Sequence, residues 1–108
     1  MSRDSGGTWL PFIYRDFYDL PRAILVDHEG TAYFLECSFD EGLDEYPDDF
    51  AVYVLPPATA RKARDPGAYW IGLTRNGRLV GHVPVDRVHF DRSLRRLIRA
   101  DVFARLDG

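Results

Sequence analysis

Residues 22–39 read RAILVDHEGTAYFLECSF, two apolar runs joined by His28-Glu29-Gly30. Both runs are rich in aliphatic or aromatic residues, the composition of strands packed on a core. Gly30 accepts the positive φ that a tight reversal needs, so the stretch predicts a β-hairpin with strands at 22–27 and 31–39. Side chains alternate across a strand, which sets Tyr33, Leu35, Cys37 and Phe39 on one face and Phe34, Glu36 and Ser38 on the other. The first set is the more apolar and is expected to face the core.

Upstream, Trp9 to Tyr14 is apolar, but Pro11 confines it to an edge strand or an extended lead-in. RDFYDLP (15–21) then reads as a turn. Downstream, FAVYVL (50–55) is a third strand stopped by Pro56-Pro57, and ATARKARDPG (58–67) is a basic connection with one helical turn. Residues 69–74 and 79–83 flank RNGR (75–78), where Asn76-Gly77 predicts a type I′ hairpin turn. Pro84 ends that strand. Asp91 is a suitable N-cap for a terminal helix whose apolar stripe is Leu94, Leu97 and Ile98. On that helix Arg92, Arg95, Arg96 and Arg99 fall within about 100° of arc on the far side. Asp101 interrupts the stripe, so a break is expected near Ala100-Asp101, followed by a short turn over VFARL.

The chain has 108 residues, 45% of them hydrophobic and 14% aromatic, which predicts one domain over 1–108 with a packed core and excludes disorder by composition. No apolar run approaches the roughly 20 residues of a spanning helix. MSRDSGGT carries no apolar leader, and one cysteine permits no internal disulfide; a cytoplasmic location is expected. The net charge of −3 conceals a split. Residues 1–57 hold three arginines against twelve Asp and Glu, a balance of −9, while residues 58–108 hold eleven Lys and Arg against five Asp, a balance of +6. Such asymmetry means either two surfaces of opposite sign or two halves that neutralise each other.

The segment Tyr69-Trp70 followed by Gly81-His-Val-Pro84-Val-Asp-Arg-Val88 resembles the C-terminal half of SH3 domains. There an aromatic pair opens a strand, a tight hairpin follows, and a Gly-x-Val-Pro-x-x-x-Val segment closes through a 3-10 turn. The family also carries a long acidic loop early in the barrel, a place that FDEGLDEYPDDF (39–50) occupies here. The resemblance covers about a fifth of the chain and speaks to fold alone. It implies an SH3-like, partly open antiparallel barrel of five or six strands, mainly β, with the C-terminal α-helix as an addition. Tyr69 and Pro84 match two positions of the family's proline-binding shelf. Arg87 and Asp86 stand where that shelf has an aromatic residue and an asparagine, which argues against proline-peptide binding.

The stretch FDEGLDEYPDDF holds six carboxylates in twelve positions. Their spacing, in pairs every four residues with Gly42 out of place, does not fit a calcium loop. A loop this acidic is expected to be wet throughout, which does not separate two carboxyl pKa values for acid–base work. Two readings remain: a docking surface that steers a basic partner, or a solvated turn that pairs with the C-terminal arginines. Cys37 lies on a core face, and no nucleophile elbow or second cysteine accompanies His28, His82 or His89, so no catalytic or metal set and no cofactor is implied. The aromatic string Trp9, Phe12, Tyr14, Phe17, Tyr18 either closes the core or walls a groove beside the acidic loop.

The sequence therefore predicts a non-catalytic, bacterial-type interaction module. Asp40, Glu41, Asp44, Glu45, Asp48 and Asp49 would steer a basic protein surface while Tyr46 anchors it, as in an immunity or inhibitor protein. The alternative is nucleic-acid binding through Arg92, Arg95, Arg96 and Arg99. A second alternative is an enzyme with an unrecognised pocket.

Overall fold

The computed structural model describes residues 8–18, 20–70, 72–91 and 97–106. These residues form one antiparallel sheet of six strands, β1 (Trp9–Tyr18), β2 (Leu20–His28), β3 (Thr31–Glu36), β4 (Asp49–Leu55), β5 (Arg78–Pro84) and β6 (Leu97–Arg99). Their spatial order is β5-β4-β3-β2-β1-β6, so β5 and β6 lie at opposite ends and the sheet does not close. One helix, α1 (Pro57–Ala63), connects β4 towards β5, and no described helix is long and apolar enough to cross a membrane.

The hairpin of residues 22–39 forms as expected. Glu29 and Gly30 take φ of 52° and 80°, the pair of positive values that a two-residue type I′ turn requires, and His28 pairs with Thr31 across it. The turn twists with the strands it joins. The face assignment is only half right. Leu35 and Cys37 are buried, but so is Phe34 on the opposite face, and Phe39 is exposed. Strand β3 ends at Glu36, so the alternation does not carry as far as Phe39.

The reason is that the sheet is covered on both sides. One core gathers Phe12, Ile24, Leu35, Phe50, Val83, Ile98 and Val102 from every strand and from the C-terminal segment. The second, on the other face, sets Leu25, Phe34 and Leu55 under Ala60 and Ala63 of α1 and under Trp70. Alanines at the contact let the short helix lie close to the sheet. Trp70 locks the cover in place: its ring meets Phe34 edge-on at 5.6 Å, and its indole N–H donates to the Ala63 carbonyl at 3.0 Å. The continuous buried run Ala23-Ile-Leu-Val26 in β2 is the sequence trace of this double coverage.

Two departures follow from that cover. Residues 69–70 and 72–74 are not in a strand: Trp70 serves as a lid, and Leu73–Asn76 form a 3-10 turn. Asn76-Gly77 therefore makes no type I′ hairpin: Gly77 is extended at φ −98°, and the left-handed position falls on Gly72 at φ 77°.

Strand β5 carries a bulge at Val80, since Gly81 pairs with Val52 while Leu79 pairs with Tyr53. The extra residue resets the alternation, so Val80 and Val83 both point inward. Gly81 adopts φ 156°, and a Cβ there would sit 3.3 Å from Leu106 Cδ2. Gly81→Ala is thus expected to lower the unfolding free energy by about 1–2 kcal/mol, read as a reduced urea midpoint at unchanged slope.

At the N-terminal side Pro11 is accommodated by a change of partner. Residues 9–11 of β1 pair with β6, and residues 12–18 pair with β2. Where proline sits, β1 is bonded on one side only, which suits a residue without an N–H. The reversal expected within RDFYDLP falls between Tyr18 and Leu20, which face each other, while the flanking residues already belong to β1 and β2.

The terminal helix is corrected over the residues described. Leu97–Arg99 is β6, with Ile98 opposite Leu10 and bridged to Phe90, and Ala100–Arg105 is a 3-10 turn. Residues 92–96 lie outside the described residues. The apolar pair Leu97-Ile98 is used with period two: Ile98 is fully buried and its neighbours are half-buried.

Candidate functional site

The acidic stretch forms the connection between β3 and β4, and its backbone is ordered by local chemistry. Asp40 and Glu45 exchange two backbone hydrogen bonds, at 2.8 Å and 3.2 Å, which folds residues 40–45 into a small hairpin. Within it the Asp40 carboxylate accepts the N–H groups of Gly42 at 2.9 Å and Leu43 at 3.2 Å. Asp44 completes the turn in the left-handed region at φ 56°, a conformation that aspartate tolerates. Leu43 projects at the tip, 68% exposed.

Asp40, Glu41, Asp44, Glu45 and Asp48 are exposed, and Asp49 is half-buried at the start of β4. The Asp48 carbonyl accepts the Val85 N–H at 2.8 Å, which ties the loop to the end of β5. Among the described residues the ion pairs are Arg64–Asp27, Arg99–Asp101 and His28–Glu29. None of them involves a carboxylate of the loop.

Tyr46 is half-buried against the first core. The Arg22 guanidinium lies over its ring at 4.1 Å from the centroid, and the Phe39 ring meets it at 5.1 Å with an interplanar angle of 80°. Arg22 also donates to the Cys37 thiol sulfur at 3.2 Å, and that thiol reaches the Pro47 carbonyl at 3.5 Å. Cys37 is 1% exposed, so it acts as a fixed point under the loop.

Beside Tyr46 runs a groove of about 410 Å³ between the end of the β1–β2 hairpin and the β3–β4 loop. Phe17 and Phe39 stand in its walls, each with a large exposed fraction, and Asp16, Arg22 and Glu36 add charge. Asp16 has φ 57°, a left-handed residue within β1. The register of β1 with β2 runs in phase across it, and the Phe17 ring lies 6.0 Å from that of Tyr14. The aromatic string is thus divided: Phe12 belongs to the core and Phe17 to the groove.

The remaining sequence candidates are dispersed. Arg99 lies on β6 and pairs with Asp101 at 3.1 Å, so it does not continue a helical arginine face; Arg92, Arg95 and Arg96 lie outside the described residues. Tyr69 is exposed beside a separate cleft of about 270 Å³ with Lys62 and Leu73, and Pro84 is not in its wall. His28 stacks on Phe103 at 5.1 Å, while His82 and His89 are exposed. Among the described residues no three His, Cys, Asp or Glu side chains are grouped to hold a metal ion.

Against protein-family models, curated proteins and solved structures, the chain finds no match. Its geometry alone carries the functional reading.

Arg22, Asp16 and Glu36 were not legible as groove residues in the sequence. They come from three strands, and only the β1–β2–β3 pairing sets them beside Tyr46. The one local signal was the density of aromatic residues before the hairpin.

Proposed function

We propose that the chain is a cytosolic, non-catalytic interaction module that docks a basic protein surface through residues 40–49, in the manner of an immunity or inhibitor protein. One observation carries this reading: four of the six loop carboxylates, Asp40, Glu41, Asp44 and Glu45, are displayed on a small hairpin, and none of the described ion pairs uses any of the six. A partner would meet a charge field already set in place, which speeds encounter and reduces the ordering cost of binding. Tyr46, held under Arg22 and against Phe39, offers a rigid aromatic edge rather than a mobile one.

We also infer an SH3-like arrangement for the sheet. In its favour, the last strand returns to pair with the first, and the 3-10 turn Val85–Arg87 follows Gly81-His-Val-Pro84 and leads to the buried Val88.

The test keeps Asp40, which holds the turn, and neutralises four exposed neighbours (Glu41→Gln, Asp44→Asn, Glu45→Gln, Asp48→Asn). Proteins captured from a lysate by the unmodified chain identify the partner, whose binding rate is then followed by stopped flow. The variant is expected to associate about tenfold more slowly at low salt, with the difference shrinking as salt screens the field. Retention of the same partners at unchanged rates would sink the reading.

A further inference from the structure

The groove beside the loop restricts what a basic partner must look like, an inference that rests on the docking reading above. Two of its walls, Phe17 at 39% exposed and Phe39 at 44%, are large apolar side chains turned to solvent on either side of one concavity. Exposed apolar surface around a cleft, next to a rigid aromatic, is the form of a pocket for an anchoring side chain. Its lining charge is acidic on balance, Asp16 and Glu36 against the single cation Arg22, and the acidic loop continues from two of its lining residues, Phe39 and Tyr46. That cation is engaged inwards, on the Tyr46 ring and the Cys37 sulfur.

We propose that this groove receives a bulky apolar side chain carried by a Lys- or Arg-rich segment of the partner protein. The apolar walls select the anchor, and the carboxylates select the cations that flank it. An acidic or phosphorylated segment would be repelled, and a basic segment without an anchor would leave Phe17 and Phe39 in water. Asp16 contributes its charge next to Phe17 in the wall.

Fluorescence anisotropy of labelled peptides against the full chain tests the proposal. Three peptides serve as probes: Arg-rich with Gly and Ser, the same with a central Trp, and an Asp-rich peptide with the same Trp. The anchored basic peptide is expected to bind at least about tenfold more tightly than the anchorless one. Phe17→Ser should erase most of that increment and leave anchorless binding unchanged. The Phe17 side chain is well exposed, so the fold should persist, and an unchanged far-ultraviolet circular dichroism spectrum checks it. Equal affinity of the two basic peptides, with salt-dependent binding retained, would overturn the groove assignment and leave loop docking intact. Binding of neither basic peptide overturns both readings. Equal binding of the anchored acidic peptide overturns the charge selection.

Discussion

Trp70→Ala is expected to lower the free energy of unfolding by about 3–5 kcal/mol, a large share of the stability of a small domain. Three interactions are lost together. The ring is 9% exposed and closes the second core over Phe34, its N–H fills the hydrogen-bonding capacity of the Ala63 carbonyl, and the Arg15 guanidinium lies 4.5 Å above it. Without the indole, α1 loses its tie to residue 70 and Phe34 faces a cavity. Trp70→Phe keeps most of the apolar cover and removes the donor, so it should cost about 1–2 kcal/mol. Chemical denaturation of both variants orders the effects. A Trp70→Ala midpoint close to that of the unmodified chain would mean that the helix does not depend on this lid.

Ile98→Ala is the second large effect, at about 2–5 kcal/mol, and it carries information about the C-terminal segment. Ile98 is fully buried between Leu10 of β1 and the Phe90 bridge, whereas Leu97 is only half-buried. Leu97→Ala should therefore cost much less, about 1 kcal/mol or below. On an amphipathic helix both residues would belong to one apolar stripe and the two costs would be alike. Unequal losses, read by thermal unfolding, distinguish the strand from the helix. Removing Ile98 also loosens the pairing of β6 with the proline-bearing end of β1, so amide exchange should rise at residues 9–11 in the same variant.

The legible parts of this fold are those decided over short distances. The Glu29-Gly30 reversal, the strand stopped by Pro56-Pro57 and the helical turn after it depend on turn chemistry and on proline geometry, both written in adjacent residues. Asn76-Gly77 carried an equally strong local signal and did not form its hairpin. Trp70 is drawn onto Phe34 rather than into the sheet, and the left-handed position falls on Gly72. Leu97-Ile98 fits a helical stripe and a strand equally well, and pairing with β1 selected the strand.

The acidic stretch shows the same division. Its composition fixed its charge and its wetness, and its spacing set it apart from a calcium loop. Its hairpin, its lack of ion pairs with described arginines, and the groove at its side depend on contacts between residues far apart in the chain. By itself, then, the sequence determined a β-rich chain, its central hairpin and an acid-dense loop, because backbone preference and charge are local properties. The tertiary structure decided that both faces of the sheet are covered, that the chain from Leu97 to Arg99 is a strand, and that Phe17 and Phe39 flank Tyr46. Those outcomes rest on burial, which no residue settles without its distant partners.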